Sequence, residues 1–313
     1  MCQNAAVLGI LLGLSSAVFF GINSIVARRG VLRVSSDYVA TMSIFSGLLF
    51  FILVAGLTGD LYGIGGLHWK AYLFWALSGV IHFALGRTWA YRSLQLLGSN
   101  RSNIVTSLSP IATVALAMLL LKESVTPLEV LGIIFTLLGP ILMLLKEETT
   151  TAESSTKSVS HGKEVTARNM LFGVLYGAGA AVFWGSSSIF IKFGLQSGGS
   201  PVAGTLIAYA AASVAISPSF VIRADKRREI RGEGVKPLPM AILVGLTTSV
   251  AQLLRYLSFG FGSVIVVSLM LRTQPLWILL FAFIFNRQYE SFSRWVLIGN
   301  GLLIAGTILI ISS

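Results

Sequence analysis

Three arginines stand inside stretches otherwise apolar enough to cross a membrane: Arg87, Arg255 and Arg272. A guanidinium is always charged and carries five N–H donors in a planar fork that matches a carboxylate or phosphate. At the centre of a membrane helix an arginine costs about 3 kcal/mol on insertion scales. It therefore calls for a wet cavity, a polar partner or an anion. Arg272 lies near the middle of its stretch, whereas Arg87 and Arg255 lie close enough to the ends of theirs for the tips to snorkel. Ser268, Arg272 and Pro275 fall at i, i+4 and i+7, one face of a continuous helix. Asn103, Ser107 and Pro110 repeat that spacing earlier in the chain, and Gln252 with Tyr256 shares a face as Arg87 does with Tyr91. These residues are the candidate lining of a site for a small anionic or zwitterionic solute. The competing interpretation is a helix–helix hydrogen-bond network with no ligand.

Other polar groups in apolar surroundings are Asn23, Ser24, Trp184, Ser186 and Ser187, candidates for the wall of the same cavity. Small hydroxyls also bond back to their own helix. Lys192 reads as the mark of a helix end. His82 is the only histidine inside an apolar stretch, hence the only candidate proton carrier there. All twelve acidic residues fall in loops or at the edges of apolar stretches. His68, His82 and His161 are scattered and the single cysteine is Cys2, so no nucleophile–base pair or metal set emerges. The expectation is a non-enzyme with no cofactor and no metal. No GxxxxGK[ST] motif occurs, so pumping must draw on ion or solute gradients. With no acid in the membrane, exchange or facilitated movement is favoured over proton symport.

Positioning these residues requires a membrane fold. Of 313 residues, 55% are hydrophobic and 11% charged, against roughly 25% charged in soluble domains. The net charge of +11 would suggest nucleic acid in a soluble chain, but no soluble domain is present to carry such a surface. At about 20 apolar residues per crossing, the stretches 7–27, 38–58, 69–91, 100–121 and 127–145 form one set of spans, and 169–192, 201–222, 239–258, 263–285 and 293–312 a second. Met1 to Ala6 lack the basic start of a signal peptide, so the first stretch is read as a retained span. Between the sets, residues 146–168 are rich in Ser, Thr, Glu and Lys without aromatics, the composition of a linker. Thr126-Pro127-Leu128-Glu129 is a capping box with proline at the first helical position, and Ser200-Pro201 repeats the cap-then-proline pairing.

The two sets are related. Residues 9–30 laid on 173–194 without gaps pair Gly9 with Gly173, Gly13 with Gly177, Gly21 with Gly185 and Ala17-Val18-Phe19 with Ala181-Val182-Phe183. An offset one residue larger pairs Tyr91 with Tyr256, Ser93 with Ser258 and Pro110 with Pro275. Five spans per copy is odd, so the second copy must enter the membrane inverted. The expected fold is all-α and integral to the membrane, ten transmembrane helices in two inverted-topology repeats of five, 1–145 and 169–313. The GxxxG spacings at Gly9/Gly13 and Gly173/Gly177 are read as packing surfaces.

The pattern resembles the drug/metabolite transporter superfamily in its ten-span form, built from two EamA-type repeats. The resemblance is carried by Ala17-Val18-Phe19-Phe20-Gly21-Ile22-Asn23-Ser24 and Ala181-Val182-Phe183-Trp184-Gly185-Ser186-Ser187-Ser188. Gly98-Ser99-Asn100-Arg101-Ser102, Ser107-Leu108-Ser109-Pro110 and Leu120-Leu121-Lys122-Glu123 add to it, while Asn286-Arg287-Gln288 departs where Lys122-Glu123 would recur. It implies a secondary transporter of a metabolite or drug in a prokaryotic plasma membrane, acting by alternating access as a monomer or homodimer. The expected partners are a small-molecule solute and the lipid bilayer, with no nucleic acid. An exporter of drugs or amino acids without anion preference, and a non-transporting scaffold or receptor, are the alternatives. Small multidrug exporters, which resemble half of such a chain, use a membrane-embedded glutamate that this chain lacks; cation export by that route is disfavoured.

Basic residues concentrate in odd-numbered loops, among them Arg28, Arg29 and Arg33, then Lys146, Lys157, Lys163 and Arg168, then Arg223 to Lys236. The positive-inside rule puts these loops in the cytoplasm and both termini outside. The resemblance implies the opposite for the termini.

Overall fold

The computed structural model describes residues 2–31, 36–97, 105–106, 108–135, 137–139, 142, 167–222, 238–285 and 294–311. Among the described residues there is no β-strand, and the chain is built from helices. The first group comprises α1 (Cys2–Val31), α2 (Ser36–Thr58), α3 (Trp69–Gly79), α4 (Arg87–Leu97), α5 (Ser109–Leu116) and α6 (127–135). The second comprises α7 (Ala167–Gln196), α8 (Pro201–Ile222), α9 (Leu238–Phe261), α10 (Val264–Met270), α11 (Gln274–Phe285) and α12 (Arg294–Ile311).

Among the described residues, five helices, α1, α2, α7, α8 and α9, are long and apolar enough to cross a bilayer. The expected third and ninth spans are helical but not continuous. A π-helical segment, Val80–Gly86, joins α3 to α4. A 3₁₀ turn, Leu271–Thr273, joins α10 to α11. The second interruption has a local cause: Pro275 has no N–H to donate to the carbonyl one turn back, so the ladder tightens before it. Pro110 sits in the same position relative to α5, after a turn in which Leu108 N donates to Val105 O at 3.3 Å. The helix carrying Ser268 and Pro275 is therefore interrupted between them, at Leu271–Thr273. Arg272 lies in the turn itself.

The helix starts are capped as the sequence requires. Thr126 N donates to Glu129 Oε2 at 2.7 Å and Glu129 N donates to Thr126 Oγ1 at 3.2 Å, a reciprocal box. Ala203 N donates to Ser200 Oγ at 3.0 Å ahead of Pro201.

The chain forms two compact units that cut across the sequence halves: Met1–Ala84 with Ser187–Tyr289, and Leu85–Ser186 with Glu290–Ser313. In the first, Tyr209 packs against Phe51 and Phe83 with ring centroids 4.8 and 4.7 Å apart, beside Ile44, Leu206 and Ala212. In the second, Trp89 meets Tyr176 and Phe183 edge to face, at 5.4 and 5.0 Å.

Glycines set the closest helix contacts within each unit. A Cβ on Gly13 would lie 3.3 Å from Met270 Cβ, and one on Gly21 would lie 2.7 Å from Trp277 Cβ. In the other unit, a Cβ on Gly177 would lie 2.9 Å from Val105 Cγ1, and one on Gly185 would lie 2.9 Å from Ala112 Cβ. Under the sequence offsets Gly13 corresponds to Gly177 and Met270 to Val105; Gly21 corresponds to Gly185 and Trp277 to Ala112. Each copy's first helix thus packs on the stretch leading into and through the proline-bearing helix of the other copy, twice over at equivalent residues.

Candidate functional site

The polar residues of the first unit converge on Arg255. It lies six residues before the end of α9 and is 5% exposed. Its Nη2 donates to Ser187 Oγ at 3.1 Å and to Ser188 Oγ at 2.8 Å, both on α7. Its Nη1 donates to Gln252 Oε1 at 3.4 Å and stands 3.4 Å from His82 Nδ1. The guanidinium also lies over the Phe259 ring, 5.5 Å from the centroid. Arg255 therefore does not snorkel. The hydroxyl pair on α7 holds it inside the protein, which corrects the expectation drawn from its distance to the span end.

His82 lies within the π-helical segment, a distortion often found at functional sites. Its Nδ1 is 2.9 Å from Ser187 Oγ, and its Nε2 is 3.4 Å from Gln252 Nε2. Ser78, one turn earlier, meets Tyr256 Oη at 2.9 Å. On α9 the residues Thr248, Gln252, Arg255 and Phe259 follow i, i+4, i+7 and i+11, so one helix face carries the cluster. Asn23 extends it: its Oδ1 accepts from Thr247 and Thr248, each at 2.9 Å.

Arg272 is partly buried in its 3₁₀ turn and lies within electrostatic reach of Arg255. Ser268, one turn before it, is 5% exposed, and its Oγ has no hydrogen-bond partner among the described residues. Among the described residues, the partners of Arg255 are neutral: hydroxyls, an amide, an imidazole and an aromatic ring. Such an arrangement holds positive charge in a low-dielectric interior with hydrogen bonds and, among the described residues, no counter-ion.

The structure thus brings Arg255, Gln252, Tyr256, Ser187, Asn23, Ser268 and Arg272 into one compact unit. Arg87 and Trp184, both partly buried, fall in the other. Asn103 and Ser107 lie outside the described residues, as do the side chains of Tyr91 and Ser24. Lys192 does not end its own helix, which runs on to Gln196. Its Nζ instead donates to the carbonyls of Phe259 and Gly262 at 2.8 and 2.9 Å, covering the exposed end of α9. Sequence reasoning missed Ser78, Ser188, Thr247 and Thr248. Only Thr248 carried a signal, its spacing to Gln252 and Arg255.

Comparisons with known proteins fit this architecture. An uncharacterized transporter from Sinorhizobium sp., encoded in the cobO 3' region, is 26% identical over 132 residues, 42% of this chain and 92% of its own. A solved crystal structure of a protein superposes with a TM-score of 0.71 at 15% identity, covering 98% of this chain and 96% of the other, a likeness of fold. The EamA-like transporter family matches residues 7–145 and again residues 171–312. The chain belongs to the EamA-like transporter family, integral membrane proteins that carry small solutes.

Proposed function

We propose that this protein is a secondary transporter of a small anionic or zwitterionic metabolite, working by alternating access between two inverted repeats, 1–145 and 169–313, joined by the linker 146–168. The observation that carries the anion preference is Arg255, buried, within electrostatic reach of Arg272 and hydrogen-bonded, among the described residues, to neutral partners. At an effective dielectric of about 20, one anionic charge about 4 Å from one guanidinium gains about 4 kcal/mol. That exceeds the worth of an exposed ion pair several-fold. Arg272, in an interrupted helix, is the direct anion contact; interrupted helices recur at transporter sites because their ends leave backbone polar groups for a solute. Ser268, Gln252, Tyr256, Asn23 and Ser187 line or support the site, and Arg87, Tyr91, Asn103, Ser107 and Trp184 form its counterpart in the other unit. The linker and the other odd-numbered loops face the cytoplasm of a prokaryotic cell.

The test is a thermal-shift screen of the purified protein against small metabolites, followed by uptake of the best stabiliser into liposomes. Arg272→Ala should insert normally, lose the ligand-induced shift and abolish uptake. Undiminished uptake by that variant removes the anion site.

A further inference from the structure

Two polar contacts tie α7 to α9, one turn apart. In the inner one α9 donates to α7: Arg255 Nη2 reaches Ser187 Oγ and Ser188 Oγ at 3.1 and 2.8 Å. In the outer one α7 donates to α9: Lys192 Nζ reaches the carbonyls of Phe259 and Gly262 at 2.8 and 2.9 Å. Ser188 and Lys192 are four residues apart, as are Arg255 and Phe259, and four residues advance a helix by about 6 Å. The outer contact therefore lies beyond the inner one, towards the end of the bundle. Gly260 and Phe261 are exposed at that end, and α7 runs out there into the polar turn Ser197-Gly198-Gly199-Ser200.

Lys192 holds a stiff piece of chain. Between α9 and α10, Gly262 N donates to Ser258 O at 2.8 Å and Val266 N donates to Ser263 Oγ at 3.2 Å, so the turn is bonded on both sides. α1 abuts it at Gly9, where a Cβ would lie 2.8 Å from Gly262 N, and Pro201 at the start of α8 has its Cγ 3.8 Å from a Cβ placed on Gly260. The bonds from Lys192 differ in kind from this packing. Carbonyls at a helix end can turn to water, and an ammonium can turn to a carboxylate, so the exchange leaves both partners satisfied at small net cost. Lys192 is half-buried and makes further interactions besides these two.

The duplication puts a basic residue at this place in both copies. Laying 9–30 on 173–194 pairs Arg28 with Lys192. Arg28 lies on α1 nineteen residues beyond Gly9, about 28 Å along the axis, at the opposite end of that helix.

We propose that Lys192 is the latch at this end of the transporter. Bound to the Phe259 and Gly262 carbonyls, it holds α7 against the α9–α10 turn and shuts the way out from Arg255. It lets go when the solute's carboxylate, leaving Arg255, takes the ammonium. The inference rests on the anion-site reading of Arg255 and Arg272 and adds a second basic station one turn further out.

The test uses the full chain in lipid nanodiscs, with C2A removing the single cysteine and nitroxides on Q196C and F261C, two exposed ends of α7 and α9. Electron paramagnetic resonance should give mainly a short distance between the labels. K192M should raise the ratio of a longer distance to the short one about tenfold, as expected for losing hydrogen bonds to a charged group. If K192M does not reach the membrane, K192Q, neutral and too short to serve both carbonyls, takes its place. K192R keeps the charge and the donors and should return most of the pair to the short distance. R28M, at the far end of α1, should leave the short distance in place. An unchanged distribution in the neutral variant, a K192R that opens like it, or an R28M that opens as widely each overturns the inference. If uptake still depends on Arg272 in that event, the transport reading stands and Lys192 is a static cap on α9.

Discussion

His82 Nδ1 stands 2.9 Å from Ser187 Oγ, and the residues at the equivalent positions of the other repeat, Thr247 and Asn23, meet at the same distance. The offset that aligns the first helix of each copy puts Asn23 on Ser187, and the offset that aligns Tyr91 with Tyr256 puts His82 on Thr247. One frame therefore carries two chemistries. One corner joins an amide to hydroxyls; the other joins an imidazole to a hydroxyl that also anchors a guanidinium. Duplication supplied the geometry, and divergence at four side chains made the two corners chemically unequal.

That asymmetry predicts unequal effects at equivalent positions. Thr247 and Thr248 each bond a carbonyl of their own helix as well as Asn23, so Asn23→Ala leaves no hydroxyl without an acceptor. It should cost about 1 kcal/mol and lower uptake only partly. Ser187→Ala withdraws a partner from both Arg255 and His82. It should cost more, about 2 kcal/mol, because one bond is to a charged group, and it should lower uptake. Thermal melts with uptake on the same preparations compare the pair, and equal losses would contradict the asymmetry.

Arg255→Lys keeps the charge and loses the fork. Nη2 serves two serines while Nη1 serves Gln252, a spread that a single ammonium does not span. The variant should reach the membrane, melt lower by an amount corresponding to about 2–3 kcal/mol, and lose most uptake. Wild-type uptake with Lys would mean that charge alone suffices, and that the orientation set by Ser187 and Ser188 is irrelevant.

The close glycine contacts predict an ordered series. On α1, a Cβ at Gly9 would lie 2.8 Å from the backbone nitrogen of Gly262, whereas one at Gly13 meets a side-chain carbon at 3.3 Å. Gly56 on α2 has nothing within 4 Å of its added Cβ. Backbone yields less readily than a methionine side chain. Gly9→Ala should therefore destabilise by about 1–3 kcal/mol, Gly13→Ala by less, and Gly56→Ala should stabilise by up to about 1 kcal/mol through helix propensity. Melting of the three single variants gives the order directly; Gly13→Ala melting below Gly9→Ala would overturn it.

Much of this was legible because membrane constraints write themselves into composition. Apolar runs gave the helices, caps at Thr126 and Ser200 gave two starts, and glycines in one order gave the duplication. The interruptions were harder. Pro275 announces a break, but the π-helical segment at Val80–Gly86 contains no proline to announce it. Arg255 looked cheap because it lay near a span end. Its confinement depends on Ser187 and Ser188, which are close in space and distant in sequence. His82 stood out as a lone histidine, but its contacts with Gln252 and Arg255 join two segments far apart in sequence, a relation that no single motif contains.

Trp75 supplies the last prediction. Its indole is wholly buried at the middle of α3, and its Nε1 has no hydrogen-bond partner among the described residues. Gly194 on α7 and Gly204 on α8 make room for it; a Cβ on Gly204 would lie 2.7 Å from Trp75 Cε2, and one on Gly194 would fall on the pyrrole edge of the ring. Gly204→Ala should thus destabilise by about 1–3 kcal/mol through overpacking. Trp75→Leu removes the indole atoms that cause the clash, together with a buried donor lacking an acceptor, a group that costs about 1–3 kcal/mol where it stands. The combined variant should therefore lose less stability than the two single changes added together, with a favourable coupling of about 1 kcal/mol or more in a double-mutant cycle. Strict additivity would mean that the glycine and the indole do not compete for the same space.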